Sequence, residues 1–348
     1  MKFAGAVNRQ IFSHTLLILL FAAAGGMIFR LLHFPLPWTL GSMTVAAIIA
    51  LRNSTLVVPP VFRDGARPVI GVMAGSAFTP VVLGQIATWW PVFVLLILFF
   101  LSVSALGGMF FRKFGFDGRT ALFAASPGGL GEMAILGQQF GADVRKLVLV
   151  HSVRIILVVT LVPFALRAMT GLNGTGASTI GHATGSIIDW MLLMACVVLG
   201  YLIGRHARSY GGLMLVPMLL SAILHGSGVT SAEIPYAIIA AMQVIIGCIT
   251  GARFAGVRFG EVWKTLLIGF AWSMILIALS LVLAFSTAQF VDMTPVALFL
   301  SFAPGGFAEM SVIAYAAGIE VAFVVTCHAF RTIYVILVSP ILCRKLLR

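Results

Sequence analysis

The chain has 348 residues, of which 61% are hydrophobic and only 9% are charged, and its mean hydropathy is +1.11. These values exclude a soluble globular domain, in which roughly a quarter of the residues are charged. The net charge of +12 comes from basic residues scattered between apolar runs, which argues against a nucleic-acid-binding surface and favours a role in membrane topology.

Apolar segments recur along the chain at lengths near the roughly 20 residues that cross a bilayer as a helix. In the first half they cover residues 11–32, 36–51, 66–86, 88–111, 120–140 and 147–168. In the second half they cover residues 186–204, 212–226, 236–254, 265–286, 296–317 and 321–343. A polar linker, 170–185, is therefore predicted to separate a first membrane repeat, 1–169, from a second, 186–348.

The two halves share a duplicated motif. Residues 127–154 (PGGLGEMAILGQQFGADVRKLVLVHSVR) align without a gap with residues 304–331 (PGGFAEMSVIAYAAGIEVAFVVTCHAFR), and ten of the 28 positions are identical. Upstream, IGVMAGSAF at 70–78 pairs with IGCITGARF at 246–254. Each of these shorter stretches contains a Gly-x-x-x-Gly pair, a spacing that permits close helix packing. The chain is predicted to be an internal duplication.

The positions of Lys and Arg indicate how the two halves are oriented. In the first half they lie before segment one and after segments two, four and five, whereas in the second half they follow segments one, three and six. The positive-inside rule is satisfied if the fifth segment of each half enters and leaves on the same side, so that each half crosses five times. An odd number of crossings inverts the second half and places both termini in the cytoplasm.

The predicted fold class is an all-α polytopic membrane protein built as an inverted internal repeat, with about ten transmembrane helices and two re-entrant or broken PGG segments. One alternative stays open, in which the fifth segment spans as a broken helix and a short segment, 36–51 or 212–226, fails to cross. Arg30 is the one clear exception to the predicted topology.

Each fifth segment is interrupted by Pro-Gly-Gly, which removes a backbone donor and adds backbone freedom, so that one half-helix ends and another begins. Backbone groups left unpaired at membrane depth are tolerated only inside protein or beside a water-filled cavity. A break repeated in both halves therefore points to a binding site near the midplane, with a packing kink as the alternative. The candidate substrate-binding residues at the breaks are Ser126, Gly128, Gly129, Gly305 and Gly306.

Glu132 and Glu309 fall in the first turn of the half-helix that follows each break. A carboxylate at this position complements the positive end of the helix. A buried acid in a membrane is also costly unless it is paired or neutralised, which makes both residues candidates for coupling to protons or cations.

His151 and Arg154 are three residues apart on the sixth segment, and His328 and Arg331 repeat the spacing, so each pair shares a helix face. An arginine at that depth keeps its charge and needs an anionic partner, either the glutamate of its own half or a bound substrate. Arg154 and Arg331 are predicted to contact an anionic substrate. The histidines are candidates for ion coupling through proton handling, with structural hydrogen bonds as the alternative.

A metal site built from the two histidines and the two glutamates is disfavoured. A fixed positive charge lies one turn from each histidine, and the chain contains no His-x-x-x-His or Glu-x-x-His pair. The four cysteines show no Cys-x-x-Cys spacing, so neither a disulfide framework nor a zinc site is indicated. No catalytic residue, cofactor or resident metal is expected.

The duplicated SPGG and APGG segments, the glutamate that follows each, the Gly-(Ala/Ile)-(Asp/Glu)-Val stretch and the His-x-x-Arg helix resemble the AbrB-duplication family of bacterial integral membrane proteins. The resemblance covers nearly the whole chain. Members often carry labels that name an ammonia monooxygenase or a transcriptional regulator. The residues support neither label mechanistically, because the seven histidines lack a clustered ligand spacing and no soluble DNA-binding module is present.

The function predicted from the sequence is a secondary transporter of the inner membrane that carries a small organic anion or zwitterion, coupled to protons or sodium. Its partners would be that small molecule, the coupling ion and the lipid bilayer, with no nucleic acid, and a homo-oligomer is left open. The alternatives are a membrane-embedded regulator or sensor that affects gene expression indirectly and, less favoured, a metal-dependent membrane monooxygenase.

Overall fold

The computed structural model describes residues 2–52, 58–171, 185–256 and 259–346, and within these ranges the secondary structure is helical with no strand. The predicted linker 170–185 falls largely on residues 172–184, which lie outside the described ones, so the domain boundaries stay a prediction. The helices are α1 (Lys2–Leu31), α2 (Pro37–Arg52), α3 (Pro60–Gly75), α4 (Pro80–Gln85), α5 (Trp90–Lys113), α6 (Gly118–Ala125), α7 (Leu130–Gln139), α8 (Val144–Thr170), α9 (Ile187–Gly204), α10 (Gly212–Gly226), α11 (Tyr236–Gly251), α12 (Phe259–Thr287), α13 (Pro295–Phe302), α14 (Phe307–Ala317) and α15 (Val321–Leu346).

Seven stretches of the described chain are long and apolar enough to cross a bilayer, and they establish a polytopic membrane protein. They are His14–Leu31, Pro80–Lys113, Val144–Thr170, Ile187–Arg208, Tyr236–Phe254, Val262–Thr287 and Val321–Lys345. The other three helices of the predicted ten, α2, α3 and α10, have 16, 16 and 15 residues. These are shorter than the roughly 20 residues of a full crossing, so length and apolarity alone support seven of the ten.

One predicted segment, 66–86, is divided in the structure. Helix α3 ends at Gly75 and α4 starts at Pro80. Proline disfavours a helical conformation in the residue before it, and Thr79 is extended and caps α4 by accepting a hydrogen bond from the backbone N–H of Val82. The chain then continues through a 3₁₀ turn, Ile86–Trp89, into α5.

The first PGG break joins two short helices, and the first of them, α6, runs parallel to α8. At the start of both helices the backbone N–H of Asp143 donates to the hydroxyl of Thr120 over 2.8 Å. At the break, the guanidinium of Arg154 donates to the carbonyl of Gly128. The break therefore lies beside the middle of α8, about 16 Å along its axis from the shared start.

The second short helix, α7, returns along α8 in the opposite direction. Leu130, at its start, packs against Ile155, whereas Gly137, near its end, lies against the side chain of Leu147. The fifth segment of the first half thus enters and leaves at the N-terminal end of α8. It is a hairpin, and not a broken helix that continues to the other side.

The second break forms a hairpin of the same kind against α15. The hydroxyl of Thr294, which caps α13, donates to the carboxylate of Glu320 just before α15 begins, over 2.8 Å. At the break, Arg331 donates to the carbonyl of Ala303 over 2.9 Å. Helix α14 then returns and ends at Gly318, whose φ of +66° turns the chain into α15.

The two hairpins enter from opposite ends of α15. The base of the second hairpin is beside Glu320, at the N-terminal end of this helix. The base of the first hairpin is at its C-terminal end, where the guanidinium of Arg344 lies 5.9 Å from the ring centroid of Phe140. These points are about 36 Å apart along the helix axis, so the hairpins approach each other from opposite sides.

The other helices pair across the two halves, α2 with α11 and α3 with α10. The Gly-x-x-x-Gly pairs make these contacts close, as the sequence predicts. A Cβ atom built on Gly71 would collide with the carbonyl oxygen of Met214, and one built on Gly247 would collide with the side chain of Ser42. The glycines therefore permit backbone contact between helices that belong to different halves.

Replacement of Gly247 with alanine tests this packing. We expect Gly247→Ala to lower the midpoint of thermal unfolding in detergent, since overpacking of a tight contact costs about 1–3 kcal/mol. Gly108→Ala is the matched control, because a Cβ atom at Gly108 in α5 would meet no atom within 4 Å. The control should unfold at the same temperature or higher, because alanine favours a helix over glycine. Equal midpoints for the two variants would contradict the close contact.

Candidate functional site

The tips of the two hairpins meet at one cavity of about 320 Å³. Residues of α3, α10 and α11 complete its wall, so the cavity lies between the hairpins and the helix pairs described above. Its charged lining consists of Arg63, Arg67, Arg253, Glu132 and Glu309. Its apolar lining includes Ile70, Leu130, Met214, Ile246, Ile249 and Phe307.

Both half-helices that leave the breaks begin at the cavity wall. Their N-cap residues, Gly129 and Gly306, make no side-chain cap, and both residues line the cavity. The first backbone N–H groups of a helix have no partner inside it and carry partial positive charge. The two helix N-termini therefore favour negative charge at the cavity wall.

Glu132 and Glu309 fold back over these N-termini. A Cβ atom built on Gly129 would collide with the carboxylate of Glu132, and one built on Gly306 would collide with that of Glu309. A side chain at either position would therefore displace the carboxylate from the backbone. Both glutamates line the cavity, as expected of coupling groups, and both also complement the positive helix end.

Arg154 hydrogen-bonds to the backbone of the first hairpin tip and lies outside the cavity lining. Its Nη1 donates to the carbonyl of Ser126 over 3.2 Å, and its Nη2 donates to the carbonyl of Gly128 over 2.5 Å. Arg331 repeats this arrangement in the second hairpin. Both side chains are 1% exposed and neither lines the cavity. Instead of the predicted contact with substrate, each guanidinium binds carbonyl groups that the end of a half-helix leaves without intrahelical partners.

Each histidine binds a backbone carbonyl in the first short helix of its hairpin, α6 or α13. The Nε2 atom of His151 donates to the carbonyl of Phe123 over 3.1 Å, and that of His328 donates to the carbonyl of Leu300 over 2.9 Å. Both residues are fully buried and neither lines the cavity. The structure therefore does not bring them to the two glutamates, and their contacts are the structural hydrogen bonds named as the alternative. Across the described ranges, no group of three or more His, Cys, Asp or Glu residues could hold a metal ion.

Three arginines at the cavity were not among the predicted site residues. Arg63 forms an ion pair with Asp64 at 3.5 Å, and the Nη2 atom of Arg253 lies 3.8 Å from the Oε1 atom of Glu309. Arg67 makes no hydrogen bond or ion pair with any residue that the structure describes.

Two signals in the sequence could have identified these arginines. Arg67 falls inside the predicted apolar segment 66–86, and an ionisable residue within a membrane segment is a functional candidate by default. Arg253 departs from the duplicated pattern, because IGVMAGSAF places Ala77 where IGCITGARF has the arginine. The positive-inside pattern accounts for Arg63 and Arg253 only as loop cations that set topology.

Removal of one buried guanidinium tests its role behind the tip. We expect Arg154→Met to increase amide hydrogen exchange at residues 126–132, because the tip loses two hydrogen bonds from a charged donor. Such bonds contribute about 1.5–3 kcal/mol each, so exchange should be faster by about a hundredfold or more. Arg119→Met, which changes an exposed arginine at the base of the same hairpin, is the control. Equal exchange in the two variants would show that Arg154 does not hold the tip.

Comparison with known proteins gives consistent matches over most of the chain. The family model described as "Transition state regulatory protein AbrB" matches residues 38–347, which include both hairpins and the cavity. The chain is 26% identical over 318 residues to "Putative regulator AbrB" of Escherichia coli (strain K12), covering 91% of each chain. It is 27% identical over 343 residues to "Uncharacterized protein YhjN" of Bacillus subtilis (strain 168), covering 92% of this chain and 89% of that protein.

Proposed function

The chain belongs to the AbrB family, and we propose that it is a secondary transporter that carries a small organic anion or zwitterion across a membrane. The observation that supports this function most directly is the cavity, where two hairpins from opposite ends of α15 place their tips at a common site. In secondary transporters, a site between two oppositely directed repeats can open to either side in turn.

The proposed orientation is an inverted repeat in the inner membrane, with both termini cytoplasmic. The base of the first hairpin lies near the C-terminal end of α5 and the N-terminal end of α8, which carry Arg112, Lys113, Arg145 and Lys146. The C-terminal end of α15, with Arg344, lies at the same base. Because cytoplasmic loops are enriched in Lys and Arg, we assign this end to the cytoplasm and the base of the second hairpin to the opposite side.

The charges of the cavity favour an anionic group in the substrate. Three arginines face two glutamates, and Arg67 has no partner within the described part of the chain. A guanidinium offers paired donors that match a carboxylate, and charge-assisted hydrogen bonds of this kind are stronger than neutral ones. Arg67 is therefore proposed as the residue that binds the substrate anion.

Transport assays with an Arg67 variant test this assignment. Purified protein in liposomes should take up at least one compound from a panel of radiolabelled carboxylates and amino acids, and Arg67→Gln should reduce that uptake at least about tenfold. Arg30→Gln, which removes an exposed arginine in the last turn of α1, is the control and should transport normally. Uptake by Arg67→Gln at the unmodified rate would contradict the role of Arg67, and uptake of no compound would contradict a transport function for this panel.

The two glutamates are the proposed sites of ion coupling, and Glu309 has a structural reason to couple. Its carboxylate is bound to Arg253 at 3.8 Å, so a proton or sodium ion that neutralises Glu309 would release the guanidinium. A charge that is freed in this way changes the affinity of the cavity for an anion. The histidines lie outside the cavity and are not included in this coupling path.

We expect Glu309→Gln to abolish accumulation driven by an ion gradient while exchange of substrate across liposomes continues. The reason is that the glutamine keeps the shape of the side chain but can no longer change its charge. The measurement is uptake under an imposed pH gradient and, separately, under an imposed sodium gradient. Gradient-driven accumulation at the unmodified level would remove Glu309 from the coupling mechanism.

A sensor without flux is the second proposed function, and the names of the relatives favour it. The family description and the Escherichia coli protein are both named as regulators. The cavity could bind a metabolite and report its presence to a partner without transporting it. A compound that raises the unfolding temperature of the protein, but shows neither uptake nor exchange in liposomes, would favour this function over transport.

A further inference from the structure

Two of the five charges at the cavity differ from the others because they form no ion pair with a described residue. Arg63 is paired with Asp64, and Arg253 is paired with Glu309. Arg67 and Glu132 make no ion pair or side-chain hydrogen bond with any described residue. One cation and one anion of the cavity wall are thus left without an ion-pair partner in the described part of the chain.

Arg67 and Glu132 face a common space without touching. Both line the same cavity of about 320 Å³, and their charged atoms are not close enough to form an ion pair. Charges that are partly withdrawn from water are costly unless they are paired. Two unpaired and opposite charges on one cavity wall therefore favour a ligand that carries both an anionic and a cationic group.

The rest of the cavity wall is largely apolar. Ile70 and Ile246 occupy equivalent positions in the two halves, and Met214, Ile249 and Phe307 extend the apolar surface. The cavity volume is at the lower end of the range of small-molecule sites, which is about 300–1,000 Å³. A ligand that fills this space is small and has an apolar portion.

We propose that the cavity binds a zwitterion of the amino-acid type with an apolar side chain. Its carboxylate is bound by Arg67, its ammonium group is bound by Glu132, and its side chain packs on the apolar wall. This inference rests on the proposed function, since it takes the cavity as the substrate site, and it narrows the substrate from an organic anion or zwitterion to a zwitterion.

The departure from the duplication explains why the two glutamates differ. Glu132 and Glu309 are equivalent in sequence, but only Glu309 has a partner in Arg253. The equivalent position in the first half is Ala77, so no such arginine exists to occupy Glu132. Glu132 is consequently free to bind an ammonium group, and this inference narrows the proposed ion coupling from both glutamates to Glu309.

Binding of three related probes to the full-length protein in detergent tests the proposal. The probes are L-leucine, isocaproate, which is leucine without its amino group, and isoamylamine, which is leucine without its carboxylate. We expect L-leucine to raise the unfolding temperature and to bind at least about tenfold more tightly than either analogue, since each analogue leaves one partly buried charge unpaired. Isocaproate that binds as tightly as L-leucine, or L-leucine that does not bind, would overturn the zwitterion site.

A matched pair of variants assigns the ammonium contact to one glutamate. Glu132→Gln should weaken binding of L-leucine at least about tenfold and leave binding of isocaproate unchanged or tighter. Glu233→Gln, which changes an exposed carboxylate outside the cavity, should keep the preference for L-leucine over isocaproate. Both variants must unfold without ligand at the temperature of the unmodified protein. If Glu132 has only a structural or coupling role, a well-folded Glu132→Gln protein will still prefer L-leucine over isocaproate. That result would overturn the assignment of the ammonium contact.

The outcomes separate this inference from the proposed function. If L-leucine binds with the expected preference but liposomes show no uptake or exchange, the zwitterion site stands and transport is wrong. If isocaproate binds and is transported while L-leucine does not bind, transport stands and the zwitterion site is wrong.

Discussion

The bond between a buried arginine and the backbone of a hairpin tip is the constraint on which the rest of the structure depends. A half-helix that stops inside the membrane leaves carbonyl groups that neither water nor lipid can satisfy. Arg154 and Arg331 supply the missing donors and place positive charge at the negative end of the preceding half-helix. The arginines bind these carbonyls on the side of each tip that faces away from the cavity. The next half-helix begins on the other side of the tip, and its N-terminus lies at the cavity wall.

This arrangement divides the polar residues of the duplicated motif into two groups. The His-x-x-Arg pair on α8 and α15 binds carbonyls and stabilises the hairpin, whereas the second glycine of each break and the glutamate that follows it line the cavity. Burial of an arginine charge has a high free-energy cost. Here the guanidinium offsets that cost by hydrogen-bonding to backbone carbonyls, and these bonds stabilise the hairpin tip. In the proposed site, recognition of a substrate anion depends on arginines of other segments. Of these arginines, only Arg67 is unpaired within the described ranges.

Local patterns in the sequence predicted the helical class, the two breaks and the close packing at Gly71 and Gly247, because each depends on residues near one another in the chain. The site was only partly predictable. A three-residue spacing shows that His151 and Arg154 share a helix face, but it does not show that this face meets the carbonyls of a hairpin. The cavity forms where α3 meets both tips, so the role of Arg67 depended on contacts between distant segments that no local pattern records.

The ion pair between Arg253 and Glu309 has a consequence for the balance between the two sides of a transporter. In a perfectly duplicated protein, exchange of the conformations of the two halves would give inward-open and outward-open states of equal free energy. Ala77 occupies the position in the first half that is equivalent to Arg253 in the second. The state with exchanged conformations would therefore lack this ion pair. In the proposed transporter, this difference between the halves favours one of the two states and sets the side from which the cavity is first filled.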